Sequence, residues 1–239
     1  MPSPRLPMTR FYSRLLVVCL ALMMGMALPR PWSLLVALGY PLLAWVLIRG
    51  LGWPGPNPAI GALSRRLFPW LGGSAIAVWL LWLLTPLQLR GSGIPVVVLW
   101  ALFSAWSAAR LILLLAQERK VNASVLRGAV AGYLMLGLTG GLLVSALETI
   151  EPGSFSEVQL EEGGAGSPVW ALNFVRLNYY AFVTLTTTGF GDVSPRTPPA
   201  QMLSVAIAVS GVFYLAAVMG VLISRLTVKD AHEDGQPPP

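Results

Sequence analysis

The sequence predicts an all-α membrane protein with six transmembrane helices and a re-entrant helix between the fifth and the sixth. Of its 239 residues, 55% are hydrophobic and only 11% are charged, whereas a soluble domain carries about a quarter of its residues as charges. Apolar stretches also recur at lengths that approach the roughly 20 residues a helix needs to cross a bilayer. Six stretches meet this description: 15–28, 32–48, 68–84, 94–116, 125–147 and 202–224.

The first stretch allows two interpretations. Arg5, Arg10 and Arg14 precede its apolar core, and the small residue Ala27 closes it, which is also the pattern of a cleaved signal peptide. The second stretch starts only a few residues later. This spacing favours an uncleaved helix in a tight helical hairpin.

The segments between the stretches differ in composition and set the boundaries. Residues 50–64 are rich in Gly and Pro and predict a loop, and residues 118–122 form a short charged link. Residues 148–168 form an acidic, Gly-rich outer loop whose glutamates are expected to be mostly solvated. We therefore expect three parts: a four-helix domain (1–120), a domain with the last two long helices (121–226), and a disordered cytoplasmic tail (227–239).

The basic residues orient the chain in the membrane. With a cytoplasmic N-terminus, the outer segments contain only Arg30, Arg90, Arg176 and Arg196, and nearly all the other basic residues face the cytoplasm. This bias predicts a multi-pass protein of the cell (inner) membrane with both termini cytoplasmic. The net charge of +6 follows from the same bias. Since no basic run is interleaved with aromatic residues, nucleic acid is not expected as a partner.

Enzymatic chemistry has little support in the residue types. The chain contains a single cysteine, Cys19, within an apolar run, and a single histidine, His232, in the polar tail. One cysteine excludes an intrachain disulfide and a multi-cysteine metal site. No Walker motif, EF-hand or zinc cluster is present, so we expect neither enzyme activity nor a cofactor.

The stretch TLTTTGFGDVSP (184–195) is unusual before a long apolar run. Consecutive threonines are poor helix formers, and two nearby glycines weaken a strand. An ion that crosses hydrocarbon must replace its water with oxygen ligands, and rings of backbone carbonyls can supply them. Gly189 and Gly191 allow the positive φ that such an alignment requires, and Thr187 can add a hydroxyl oxygen.

The short apolar piece at 179–185 cannot span a bilayer, so it is re-entrant, interfacial or extramembrane. If residues 179–186 form a half-helix that descends from the outside, its C-terminal end carries partial negative charge and favours a cation. Helix, half-helix, glycine loop and helix would then form a pore unit.

At these residues the sequence resembles the pore domain of the potassium channel superfamily, over residues 125–226. The family signature Thr-Val-Gly-Tyr-Gly-Asp appears as Thr187-Thr188-Gly189-Phe190-Gly191-Asp192. The resemblance extends to Glu148 and to Pro152-Gly153-Ser154-Phe155, and is greatest to bacterial six-span members. It implies that Thr187, Thr188, Gly189, Phe190 and Gly191 form the selectivity filter and bind permeating K⁺, with Asp192 at the outer mouth. We call residues 187–192 the glycine segment.

Three departures from the family pattern concern the stability of the filter. Phe190 replaces the usual tyrosine, which removes a phenol from the surrounding contacts, but channels of the superfamily with Phe at this position remain potassium-selective. Thr188 replaces a valine whose side chain points away from the ions, so its hydroxyl must find a partner behind the filter or cost stability. Val183 stands where some members have a carboxylate that bonds the filter aspartate, so Asp192 is either held otherwise or free.

Two further features allow alternative roles. Gly211 lies where the family's inner helix commonly has a gating hinge, but a small residue there also suits close helix packing. The fourth helix contains only Arg110, which can snorkel toward the cytoplasm, whereas a voltage sensor needs on the order of 3–4 gating charges. Weak voltage dependence is therefore expected.

The sequence as a whole predicts a homotetrameric, potassium-selective channel in the lipid bilayer that conducts passively, because one chain supplies one quarter of a carbonyl ring. A cation channel that discriminates poorly is an alternative. Two alternatives of other classes are a potassium transporter subunit and a non-conducting membrane scaffold.

Overall fold

The computed structural model of the protein describes residues 8–28, 33–52, 62–84, 90–118, 122–158, 173–220 and 224. Within these ranges the chain is helical, with one isolated antiparallel β-bridge between Phe155 and Pro195. The expected tail at 227–239 and much of the acidic outer loop lie outside the described residues. The helices are α1 (Met8–Met26), α2 (Ser33–Leu51), α3 (Ala62–Leu84), α4 (Arg90–Gln117), α5 (Ala123–Ile150), α6 (Phe174–Leu185) and α7 (Pro198–Phe213), and α7 continues as a π-helix (Tyr214–Met219).

Among the residues that the structure describes, four helices are long and apolar enough to cross a membrane: Thr9–Met26, Gly93–Ala116, Ala123–Ile150 and Pro198–Met219. In the described parts of α2 and α3, the apolar segments are shorter, Leu38–Leu51 and Leu67–Trp82. The all-helical fold with several apolar helices fits a membrane protein. Six membrane spans remain a prediction.

One apolar cluster joins helices α1 to α5 with the π-helical end of α7. The largest helix contact is between α4 and α5, where the hydroxyls of Ser104 and Thr139 form a buried hydrogen bond of 2.7 Å. The α1 helix packs Tyr12 directly on Gly128 of α5, where an added Cβ would lie 2.6 Å from the tyrosine ring. Of the first four helices, α1 and α4 thus pack closely on α5, and α2 and α3 contact α1 and α4.

A second cluster surrounds α6, the short helix. Glycines of α5 allow α6 to pack closely on that helix. A Cβ at Gly137 would lie 2.1 Å from the ring of Phe182, and a Cβ at Gly141 would lie 2.1 Å from Oδ1 of Asn178. Small residues allow such close approach between helices. On the other side, the hydroxyl of Tyr180 forms a hydrogen bond with that of Ser204 in α7.

Arg110 of α4 packs on an aromatic residue of α3. Its side chain is buried among α3 and α4, with the guanidinium 4.3 Å from the ring centroid of Phe68. An arginine over an aromatic face gains a cation–π interaction. Phe68, whose ring also packs edge to face on Trp106, supplies this aromatic face. Helical spacing alone did not indicate the contact.

Candidate functional site

The α6 helix directly precedes the glycine segment. It begins at Phe174, five residues before the predicted start at Tyr179. The reason is a polar N-terminal cap, in which Oδ1 of Asn173 accepts a hydrogen bond from the backbone N–H of Arg176 at 3.0 Å. The first turns contain the polar residues Arg176 and Asn178, so the run of apolar residues did not indicate that the helix begins there.

The C-terminal end of α6 binds the start of the glycine segment. The N–H of Thr187 donates to the carbonyl oxygen of Thr184, and the N–H of Thr188 donates to that of Val183, each at 3.0 Å. These bonds satisfy carbonyls that the end of a helix leaves without intrahelical partners. The segment therefore starts from a fixed position directly below the helix end.

The backbone of the glycine segment alternates between two conformations. Thr187, Gly189 and Gly191 have φ values of +58°, +58° and +81°, whereas Thr188 and Phe190 between them do not have positive φ. The positive φ predicted for the two glycines is confirmed. A β-branched residue at positive φ is a genuine outlier, and such strain is concentrated at functional sites. The alternation turns successive peptide planes so that their carbonyl oxygens can share one side of the chain.

The hydroxyl of Thr188 has the partner that its position requires. It lies 2.9 Å from the hydroxyl of Thr186, which also donates to the carbonyl oxygen of Phe182 at 2.8 Å. The two threonines thus link the segment to the last turn of α6. The threonine that replaces a valine of the family signature is accommodated by a second threonine two residues earlier.

Asp192 is held by Tyr179, not by residue 183. The phenol of Tyr179 donates to Oδ1 of Asp192 at 3.3 Å, and its ring stacks on that of Phe190 with an angle of 2° and a centroid distance of 6.4 Å. Arg176 also donates to the backbone carbonyl of Asp192 at 3.4 Å. One face of α6 therefore contacts both the aromatic and the acidic residue of the glycine segment.

Glu148 organises the turn that follows α5. Its side chain is fully buried, and its two oxygens accept hydrogen bonds from the N–H groups of Gly153 at 2.8 Å and Phe155 at 3.0 Å. Phe155 then pairs with Pro195 and packs its ring against Tyr180 of α6. Glu148 is thus an exception to the expectation of solvated glutamates, because the turn supplies buried donors that its carboxylate satisfies.

We expect Glu148→Gln to lower the stability of the protein, because an amide offers one acceptor where the carboxylate offers two. Hydrogen bonds to charged groups contribute about 1.5–3 kcal/mol each. The apparent unfolding temperature of purified protein measures the effect. The matched control is Glu151→Gln, since Glu151 is exposed; equal shifts for the two variants would contradict the expectation.

Gly211 of α7 packs against the end of α6. A Cβ at this position would lie 2.0 Å from the carbonyl oxygen of Leu185, and the phenol of Tyr133 in α5 donates to the same oxygen at 3.5 Å. The contact is between two backbones, so no side chain can move to relieve it. Directly beyond this contact, the helix changes to the π form, and Tyr214 donates to the backbone oxygen of Ala129 in α5.

A known family covers this arrangement of a long helix, a short helix, a strained glycine segment and a second long helix. Residues 133–228 match the family model described as Ion channel. The match covers less than half of the chain and includes most of α5 and all of α6, the glycine segment and α7. It supports an ion-channel family and points to a channel role in a membrane, not an enzymatic one. No curated protein matches the chain.

The residues that the sequence assigned to the site lie close together in the structure. Residues 187–192 form one continuous segment, and Gly211 lies beside the helix that precedes it. Two residues that contact the glycine segment were not identified from the sequence. Tyr179 was assigned only to the half-helix, although its position one helical turn before Val183 placed it on the same face. Thr186 was assigned to the helix end, although its spacing of two from Thr188 allowed the hydroxyl pair.

Proposed function

We propose that the protein is a potassium-selective channel that conducts K⁺ passively through the glycine segment. Dehydrated ions would be coordinated by the backbone oxygens of Thr187, Thr188, Gly189, Phe190 and Gly191 and by the hydroxyl of Thr187. Asp192 would lie at the outer mouth. The observation that carries the proposal is the alternation of φ along this segment, because rings of carbonyls at ion-coordinating spacing require it.

The functional unit that we propose is a homotetramer, with four copies of the glycine segment around one axis. The segment is exposed along its length in a single chain. The α7 helix is the least buried of the four candidate spans, and it exposes Met202, Val205, Val209 and Val212. Their spacing of three and four residues places them on one helix face. Such a face suits contact with neighbouring copies and the lining of a pore.

The proposed topology has six spans in the inner membrane and two cytoplasmic termini. It treats residues 1–120 as a four-helix domain and 121–226 as the pore domain. In support of an uncleaved first helix, Leu15, Cys19 and Leu22 of α1 are buried in the main apolar cluster. Arg110 is buried and packs on Phe68. One such arginine in the fourth helix of each chain provides little mobile gating charge, which supports weak voltage dependence.

The reversal potential in a planar bilayer tests the proposal. Purified protein is placed between K⁺ on one side and Na⁺ on the other, at equal ionic strength. A reversal near the potassium equilibrium potential is expected. A reversal near zero would favour the non-selective cation channel, and the absence of current from an assembled tetramer under varied voltage, pH and tension would favour a scaffold.

We expect Tyr179→Phe to shorten the time for which the current is sustained. The variant loses the hydrogen bond to Asp192 but keeps the ring that stacks on Phe190. A hydrogen bond at an exposed site contributes little to stability, so the decay of the current should accelerate by about tenfold or less. Recordings at constant voltage measure it.

Tyr180→Phe is the neighbouring control, because its hydroxyl binds Ser204 of α7 and not the glycine segment. Asp192→Asn should resemble Tyr179→Phe, since it weakens the same bond. Unchanged decay in both Tyr179→Phe and Asp192→Asn would show that this bond does not hold the segment.

A further inference from the structure

Three arginines lie on the surface where α1 packs beside α5. Arg10 and Arg14 of α1 and Arg127 of α5 are all exposed, and each lies in the first two turns of its helix. The two helices begin at the same end of the bundle, because Tyr12 packs on Gly128. We call Arg10, Arg14 and Arg127 the arginine cluster.

Two hydrogen bonds hold the side chain of Arg127 in place. Its Nε donates to the carbonyl oxygen of Ala123 at 3.2 Å, and its Nη1 donates to Oγ of Ser13 in α1 at 2.8 Å. The hydroxyl of Ser13 donates in turn to the carbonyl oxygen of Thr9 at 3.0 Å, so its oxygen serves as the acceptor for Arg127. These bonds leave Nη2 of the guanidinium available to a ligand.

The contact with Ser13 brings Arg127 next to the arginines of α1. Residues three or four positions apart are neighbours on a helix surface, so Arg10 lies beside both Ser13 and Arg14. The guanidinium that binds Ser13 is therefore adjacent to the face of α1 that carries Arg10 and Arg14. The sequence places these charges more than 110 residues apart, and only the packing of α1 on α5 joins them.

The positive charge of the arginine cluster is not balanced by the described residues. A carboxylate at this end of the bundle, Glu118, accepts a hydrogen bond from the phenol of Tyr12 at 3.4 Å, and no described carboxylate forms an ion pair with the cluster. Even a full negative charge at Glu118 leaves three guanidiniums with a net positive charge. Since like charges repel, an anion bound among them would be stabilising.

Exposed apolar side chains continue from the arginine cluster along both helices. Val17 lies three residues after Arg14 and is 63% exposed, and Val130 lies three residues after Arg127 and is 41% exposed. Each valine thus shares a helix face with an arginine, one turn further into the candidate span. A headgroup at the arginines and an acyl chain along the valines would match one phospholipid molecule, whereas a free phosphate ion would use the arginines alone.

We propose that Arg10, Arg14 and Arg127 bind the phosphate of an anionic phospholipid between α1 and α5, with an acyl chain along Val17 and Val130. Guanidinium groups bind phosphate oxygens through paired, charge-assisted hydrogen bonds, and basic pockets between membrane-spanning helices bind anionic headgroups. The bound lipid stabilises the contact of α1 with α5, the helix on which α6 packs. The inference does not depend on what the glycine segment conducts.

The unfolding temperature of the purified protein in neutral detergent, titrated with lipid, tests this site. Phosphatidylglycerol is the anionic lipid, and phosphatidylcholine, which has a phosphate but no net charge, is the comparison. We expect phosphatidylglycerol to raise the unfolding temperature in a saturable manner and phosphatidylcholine to raise it less. Arg10→Gln and Arg127→Gln should each increase the half-saturating concentration of phosphatidylglycerol by about fivefold, which is the usual contribution of one basic residue at an anionic surface.

Arg49→Gln is the matched control. Arg49 is an exposed arginine at the same end of the bundle, since the next residue, Gly50, packs on Phe11 of α1. Its guanidinium lies 5.1 Å from the ring centroid of Trp45. The variant removes the same charge and should leave the half-saturating concentration unchanged. If Arg127→Gln does not fold, Arg14→Gln replaces it.

Three results would overturn the lipid site. The first is an equal response of the wild-type protein to the two lipids. The second is an equal loss in Arg49→Gln and the cluster variants, because general attraction to anionic micelles would give that result. The third is stabilisation by inorganic phosphate as large as that by phosphatidylglycerol at equal ionic strength, since the ligand would then be a free anion. None of these measurements requires current, so a silent wild-type protein would count against the channel proposal alone.

Discussion

Gly189→Ala is expected to abolish potassium conduction while the protein still assembles. Gly189 has a φ of +58° and no atom within 4 Å of the place where a Cβ would lie. The effect is therefore one of backbone strain and not of a clash within the chain. A left-handed conformation costs a non-glycine residue about 1–2 kcal/mol. The total strain in four copies around the proposed pore would be about 4–8 kcal/mol.

Relief of this strain requires a rotation of the peptide plane, which would remove a carbonyl from the proposed ion path. Current from purified, reconstituted protein and the oligomeric state in detergent are the two measurements. The matched control is Gly220→Ala, because Gly220 also has free space for a Cβ but has an ordinary helical φ of −59°. Wild-type conduction by Gly189→Ala would contradict the carbonyl-lined path and favour the scaffold.

Gly211→Ala is expected to destabilise the contact between α6 and α7. The new Cβ would lie 2.0 Å from the backbone oxygen of Leu185, so one of the two helices must move. Overpacking of this kind typically costs about 1–3 kcal/mol. We expect a lower apparent unfolding temperature together with reduced current, since the end of α6 supports the glycine segment.

The same variant separates the two roles that the sequence left open for Gly211. Close packing predicts that stability and current fall together. A gating hinge without a packing role predicts a changed open probability at unchanged unfolding temperature. Gly220→Ala lies in the continuation of the same helix and serves again as the control, because added bulk there meets nothing.

Much of the site could be predicted because its signals are local. Gly189 and Gly191 indicate positive φ by residue type alone, and the short apolar stretch before them is too brief to span a membrane. The positions of the long helices likewise follow from apolar runs. The predicted start of α6 was five residues too late, because the helix begins with a cap at Asn173 and a polar first turn, and neither belongs to an apolar run.

The partners within the site could not be predicted, because they depend on how distant segments pack. Thr188 clearly needed a partner, but whether Thr186 faced it depended on the turn that ends α6. The sequence identified the missing carboxylate at Val183 without indicating Tyr179 as the replacement. Glu148 was grouped with the acidic loop because its burial comes from backbone donors that no side-chain pattern reveals.

By itself, the sequence determined the helical membrane character, the order of the elements and the segment with unusual backbone freedom. These properties depend on residue type and short-range spacing. Only the tertiary structure decided which groups support that segment, namely Tyr179 on Asp192 and Gly211 beside Leu185. It likewise decided that Arg110 packs on Phe68. The reason is physical. Close packing and hydrogen bonding are short-range in space, and the helices that make these contacts are brought together by apolar burial, which is non-directional and encodes no particular pair.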